Sequence, residues 1–219
     1  MLYCLYLHVF SKRLEYVNEI NNIKFDAVIA TGSDNSSRYF DYYFRNIPRL
    51  IRKNRCSVAV LNGKESKREL IGLSEDIFLY FGLGCRNVSK LFLPKGYNLD
   101  KLFNVFYRFQ DIINHKKYES NYDYNKAVFL MGGAKLIENG FLLMKEDNSF
   151  QSPVAMLFYE FYDDVGELEY YIQDNSSLIQ CVVSKERFFK KITSFGETQK
   201  PQLWDYADNE DTVYFCTNI

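Results

Sequence analysis

The alternation of apolar and polar positions divides the chain into short apolar runs and longer segments of helical spacing. Phe25-Asp-Ala-Val-Ile-Ala-Thr31 is mostly apolar and stops at Thr-Gly-Ser, which predicts a buried strand followed by a turn. Ser33 and Asp34 stand where helix caps stand, ahead of a polar and aromatic segment from Asn35 to Phe44. Ser57-Val-Ala-Val-Leu61 reads as a second buried strand, stopped by Asn62-Gly63. Between Lys64 and Phe81 the residues Leu70, Ile71, Leu73, Ile77, Phe78 and Phe81 recur at helical spacing, and Gly82-Leu83-Gly84 is expected to end that helix. Val88 to Leu93 is a further strand before the Pro94-Lys95-Gly96 turn, and Leu99 to Ile113 a further amphipathic helix. Val154 to Phe161 and Ile179 to Val183 read as strands, with Glu167 to Ile172 helical between them. Near the start, Ser11 to Ile20 has helical spacing, with Leu14 and Val17 on one side. Strands alternating with helices predict an α/β fold with a largely parallel sheet.

Composition narrows the class without naming a function. The 219 residues suffice for one full domain or two small ones, and 47% are hydrophobic. With 27 basic and 28 acidic residues the net charge is -1, so no global charge attracts nucleic acid. The opening Met1-to-Phe10 run is too short to span a bilayer and lacks the layout of a signal peptide. With no membrane span expected, the cytoplasm is the expected location. The five cysteines (Cys4, Cys56, Cys85, Cys181, Cys216) are scattered, odd in number and free of CxxC spacing, which argues against a disulfide framework and a zinc site. The 18 tyrosines and 19 phenylalanines suit the margin of a well-buried core.

Among the cysteines Cys85 has a distinct setting. It follows a glycine-bracketed turn, where a thiol can project into a cleft with backbone N–H groups beside it. Arg86 follows directly, and a neighbouring cation favours thiolate. The plain alternative is that a free cysteine simply packs. That packing reading is preferred for Cys4, Cys56, Cys181 and Cys216, which lie in apolar or strand contexts.

Three segments occur in a telling order: Phe25 to Ser33, then Arg52-Lys-Asn-Arg-Cys-Ser-Val-Ala-Val-Leu61, then Tyr80-Phe-Gly-Leu-Gly-Cys-Arg-Asn-Val-Ser-Lys90. With the closing stretch Phe195-Gly-Glu-Thr-Gln-Lys-Pro-Gln-Leu-Trp-Asp-Tyr-Ala-Asp208, they resemble the long-chain acyl-CoA reductases of the aldehyde dehydrogenase superfamily, the LuxC-like family known from bacterial bioluminescence. The resemblance runs from about Phe25 to the C-terminus. It implies an α/β fold: an aldehyde-dehydrogenase-like catalytic domain with a mostly parallel sheet, plus a remnant of the nucleotide-binding domain. The boundaries it implies are 1–45 for the remnant, 46–190 for the cysteine domain and 191–219 for a tail packing back on the body. It also implies that Cys85 is the nucleophile that takes an acyl group from coenzyme A. Thr31, Gly32 and Ser33 would approach the pyrophosphate of NADPH, with Arg38 where many relatives also have an arginine. Ser37 replaces the usual glycine before it.

Hydrolytic relatives carry a glutamate base in the segment that here reads Pro48 to Ser57, where this chain has no carboxylate and Ile51 takes the equivalent position. Without that base water is poorly activated, so thiol exchange and reduction become the expected chemistry. Only about two dozen residues precede Phe25, so most of a nucleotide-binding half is expected to be missing. Partners would be acyl-CoA and either further copies of the chain or that missing half.

Other candidates carry weaker chemistry. Arg49, Arg52, Lys53 and Arg55 would either steer phosphates or form a solvated basic loop. His115 reads as a surface residue after a helix, and His8 as part of the apolar opening. Glu146 and Asp147 precede Ser152-Pro153-Val154, a stretch where relatives bind the nicotinamide ribose, but Ser149 is the aligned position. Trp204, Asp205 and Tyr206 read as closure of the tail. Two competing readings stand beside the reductase: a cysteine acyltransferase or thioesterase, which needs a histidine near Cys85, and a non-catalytic half-domain acting as an interaction subunit.

Overall fold

A computed structural model describes residues 24–186 and 192–219. The helix expected over Ser11 to Ile20, together with Cys4 and His8, lies outside the described residues.

A small parallel pair comes first: β1 (Val28–Thr31) lies beside β2 (Arg49–Arg52), with Thr31 opposite Arg52. The helix between them, α1 (Asp34–Tyr43), starts where the sequence predicts, because the Ser33 hydroxyl accepts from the Ser36 N–H at 3.3 Å. This small sheet takes in Arg49–Arg52, past residue 45. The strand at β2 was hidden by its basic ends.

The main sheet has six strands in the order β5-β6-β7-β4-β3-β8. These are β3 (Cys56–Val60), β4 (Val88–Pro94), β5 (Ile137–Glu138), β6 (Leu143–Glu146), β7 (Met156–Tyr162) and β8 (Ile179–Ser184). All neighbours are parallel except β5 and β6. One face carries α2 (Lys67–Phe78) and α3 (Asp100–Phe106), which bury Leu73, Leu102 and Phe106 against Leu91, Leu93 and Leu157. The other face carries α5 (Val165–Asp174), whose Leu168 and Ile172 meet Val58, Val60 and Phe92. Burial on both faces is why β3 reads as a continuous apolar run. The α/β class and mostly parallel sheet are as the sequence predicts.

Several boundaries differ. The helix of Lys64 to Phe81 ends at Phe78 rather than at the glycines, and Tyr80 and Phe81 take φ of 54° and 61°. The cause is Asn87, whose carboxamide donates to the carbonyls of Asp76, Ile77 and Leu79 at 3.0, 3.4 and 2.8 Å. Those carbonyls are the acceptors that a continuing helix would have used. The segment Leu99 to Ile113 tightens after Phe106 into 3-10 turns over Tyr107–Asn114. A long helix, α4 (Lys116–Met131), escaped the pattern. Its buried positions are Tyr118, Tyr122 and Asn125, which look polar in sequence although their spacing is helical. The short α6 (Thr212–Thr217) closes the chain.

Candidate active site

Cys85 sits on an exposed turn between the end of α2 and the start of β4. Four separate attachments fix this turn. The Asn87 side-chain oxygen accepts from the Gly84 N–H at 2.9 Å, while its amide holds the end of α2. The Asn87 N–H closes the turn onto the Gly84 carbonyl at 3.0 Å. The Ser57 hydroxyl on β3 donates to the Cys85 carbonyl at 3.0 Å. The Arg86 guanidinium donates to the Thr198 carbonyl. A Cβ at position 84 would lie 2.9 Å from the Asn87 side-chain oxygen and would displace it from the turn.

Thr198 is itself anchored. Its N–H and hydroxyl donate to Asp76 at 3.1 and 2.8 Å, and the Gly196 N–H donates to the same carboxylate at 2.7 Å. Burial pushes the Asp76 carboxyl up, against these three bonds. The Phe195-to-Thr198 motif therefore serves as a clamp: it ties α2 to the cysteine turn through Arg86. The Cys85 N–H has no hydrogen-bond partner among the described residues, so it is available to a developing oxyanion.

The remaining cysteines divide. Cys56 and Cys181 are buried, and burial raises both thiols. Cys216 is exposed on α6, contrary to the packing expected of it, because this short terminal helix buries none of its residues. Cys181 lies in the wall of a cavity of about 610 Å³ on the β8 side of the sheet, with Arg86, Gln173, Thr193 and Lys200. Both Ser57 and Cys181 lie near the starts of their strands, so the cysteine turn stands at the amino edge of the sheet.

Thr31 and Ser33 are exposed at the end of β1, with Gly32 half-buried between them. The Gly32 N–H donates to the Arg52 carbonyl at 3.3 Å. A Cβ at Gly32 would meet the Ser36 Cβ at 2.8 Å, so packing of α1 alone already calls for glycine here. Ser37 is buried on the inner face of α1, which leaves Arg38 on the exposed face. This end offers the exposed Thr31 hydroxyl, a residue without a side chain and the first amides of α1, while the Ser33 hydroxyl is already engaged as the helix cap. The five-residue step from Arg52, opposite Thr31, to Ser57, bonded to the Cys85 carbonyl, spans at most ~18 Å of extended chain.

The basic cluster is partly spent within the protein. Arg49 pairs with Asp41 at 3.1 Å, Arg55 with Asp208 at 2.8 Å, and Arg52 donates to Thr212 at 2.6 Å. His115 packs its ring 4.5 Å from Phe81 and opens α4 without capping it. Ser149 is exposed and donates its N–H to Asp147 at 2.9 Å.

Sequence reasoning missed Asn87 and also Lys90, a fully buried cation on β4. The Lys90 ammonium donates to Glu160 at 2.6 Å and to the Asp147 carbonyl at 2.8 Å, and it lies 5.0 Å from the Phe92 ring. Burial lowers its pKa, and Glu160 opposes that shift. A Ser-Lys pair inside an apolar strand was the available signal. No metal-binding cluster occurs, and no helix is long and apolar enough to cross a membrane, among the described residues.

No protein-family model matches the chain, and no curated protein matches it. Solved structures do. A NAD-dependent aldehyde dehydrogenase from Sinorhizobium meliloti superposes with a TM-score of 0.55 at 12% identity, over 81% of this chain and 41% of its own. The indole-3-acetaldehyde dehydrogenase AldA of P. syringae, in complex with NAD+ and IAA, gives 0.54 at 11% identity, over 77% and 41%. A Mycobacterium tuberculosis aldehyde dehydrogenase complexed with NAD+ gives 0.52 at 13% identity, over 80% and 42%. The chain thus has the aldehyde dehydrogenase fold, spanning about two fifths of the length of these enzymes.

Proposed function

We propose that the chain is the cysteine-bearing part of a nicotinamide-dependent acyl-CoA reductase, similar to the long-chain enzymes of the LuxC-like family. The observation that carries this reading is the Cys85 turn: an exposed thiol on a backbone fixed by Ser57, Asn87 and the Thr198 carbonyl, with its own N–H free. Fixed geometry of this kind is what acyl transfer needs, because exchange of one thioester for another is nearly thermoneutral and depends on orientation.

In the proposed reaction the Cys85 sulfur attacks the thioester carbon of a long-chain acyl-CoA. The bond to the coenzyme sulfur breaks, and coenzyme A leaves as the thiol with the proton that Cys85 gave up. The Cys85 N–H donates to the carbonyl oxygen while it carries negative charge. Thr31, Gly32 and Ser33 would hold the pyrophosphate of NADPH, with Arg38 beside them. When bound, the reduced nicotinamide supplies the hydride that converts the acyl group to an aldehyde. Ile51, half-buried on β2, offers water no base, which protects the acyl-enzyme from hydrolysis.

The division into 1–45, 46–190 and 191–219 belongs to the same proposal, as does association with a nucleotide-binding half or with further copies. The NAD+ held by two of the similar structures supports the cofactor class. One observation favours a second reading, an interaction subunit without catalysis: Tyr39, Tyr42 and Tyr43 on α1 are all more than 60% exposed.

Discharge of the acyl-enzyme separates the reaction types. Protein acylated with palmitoyl-CoA and freed of excess substrate should keep its acyl group in buffer and with NADPH alone, and release fatty aldehyde when NADPH and a nucleotide-binding half are supplied together. Release of free fatty acid at the same rate with and without NADPH would overturn the reductase reading.

A further inference from the structure

β8 ends the main sheet, and among the described residues no further strand pairs with its outer edge. That edge carries one bridge near its carboxyl end: the Val182 carbonyl accepts from the Thr193 N–H at 2.8 Å, and the Ser184 N–H donates to the Thr193 carbonyl at 3.3 Å. The Val182 N–H shares the outer edge with its carbonyl and has no partner among the described residues. Ahead of the bridge the register slips, with Cys56 opposite Ile179 but Ser57 opposite Cys181. Gln180 is the extra residue of that bulge, and an extra residue keeps its backbone N–H and carbonyl out of the ladder. Gln180 and Val182 both line the open cavity of about 610 Å³.

We propose that this cleft binds the pantetheine arm of coenzyme A, with the arm's outer amide added to the edge of β8.

The arm carries two secondary amides and a hydroxyl on an extended chain. The cleft offers matching groups in the Gln180 backbone, the Val182 N–H and the side-chain amides of Gln173, Gln180 and Gln202. Peptide-like ligands add to sheet edges by the same main-chain pairing. A long alkyl chain finds less here, because Ser176, Thr193, Glu197 and Lys200 interrupt the apolar wall of Ile172, Ile179 and Val182.

Reach is sufficient. Arg86, the residue after Cys85, also lines the cleft. From β8 across β3 to β4, where the cysteine turn leads, there are two strand spacings of about 5 Å each. The arm has the chain length of roughly four extended residues, ~13 Å. Its sulfur can therefore lie at the turn while its outer amide lies on β8. The choice of ligand rests on the acyl transfer proposed above, and the place of binding rests on the cleft.

Two measurements separate the cleft from the reaction. In Cys85→Ala, which cannot take the acyl group, excess pantetheine should slow backbone hydrogen exchange in residues 179–183 about fivefold or more. Ser176→Trp and Ser194→Trp, at exposed positions lining the cleft, should each abolish that protection. With Cys85 intact and the nucleotide-binding half supplied, both tryptophan variants should slow acylation by palmitoyl-CoA roughly tenfold. Acylation by S-palmitoyl-N-acetylcysteamine, which lacks the outer amide, should stay within about twofold of the parent. Exchange that pantetheine leaves unchanged, or equal slowing with both thioesters, would overturn the proposal. Protection by pantetheine without acylation of Cys85 by either thioester would support the cleft and remove the acyl transfer instead.

Discussion

Asn87 decides more about the site than any side chain except Cys85 itself. Its carboxamide stops α2, receives the Gly84 N–H and holds the turn from which the cysteine projects. Asn87→Ala would take these partners from the Asp76 carbonyl in a buried setting and from the Leu79 carbonyl and the Gly84 N–H nearer the surface. A loss of about 2–3 kcal/mol in urea unfolding is expected, with acylation slowed on the order of tenfold or more as the turn loosens. Asp147 supplies a pH test. Burial raises its carboxyl, but Lys145 and Ser149 outweigh that and bring it to about 2. A pKa lowered on folding stabilises above the unfolded value near 3.9 and is lost as pH falls toward 2. Stability should therefore decline from pH 5 to pH 2, and Asp147→Asn should flatten that limb by roughly 1–2 kcal/mol when unfolding is followed at each pH. Cys85 was legible because glycine and arginine flank it. Asn87 was not: one asparagine in a turn looks like any other until the helix end it intercepts is in view.

At the scale of elements, the tail and α2 work as one unit. Gly72 touches the tail backbone so closely that a Cβ would lie 2.8 Å from the Gly196 nitrogen and 2.8 Å from the Phe195 carbonyl carbon. Neither partner is a flexible side-chain end. Gly72→Ala should push the Phe195-to-Thr198 clamp off Asp76, cost about 1–3 kcal/mol by overpacking and free Arg86 from the Thr198 carbonyl. Limited proteolysis after Gly196 would rise in the variant, whereas unchanged cleavage and stability would refute the clamp. The sequence motif Phe195-Gly-Glu-Thr was visible, but its purpose was not, since its partners lie 120 and more residues away on α2. Strands β3, β4, β7 and β8 were readable because burial on both faces makes them largely apolar. Helix α4 was hidden for the opposite reason: it buries tyrosines and an asparagine, whose polar ends disguise a helical stripe.

For the molecule as a whole, the cysteine turn lies at the amino edge of the main sheet, near the start of β3 and β8. Ligands of open α/β sheets usually sit at the carboxyl edge, so topology alone would point away from the Cys85 turn. Ile29 of β1 and Tyr39, Tyr42 and Tyr43 of α1 are exposed, the kind of apolar surface a further subunit would cover. Sedimentation velocity should show association above the monomer mass as concentration rises, and a monomer at every concentration would remove the partner from the account. The central claim is narrower: the Cys85 sulfur takes an acyl group from coenzyme A. Intact mass after incubation with palmitoyl-CoA tests it most directly, with Cys85→Ala alongside. The account predicts one palmitoyl adduct on the parent chain and none on the variant; an adduct of equal yield on both, or none on either with the nucleotide-binding half supplied, would contradict it.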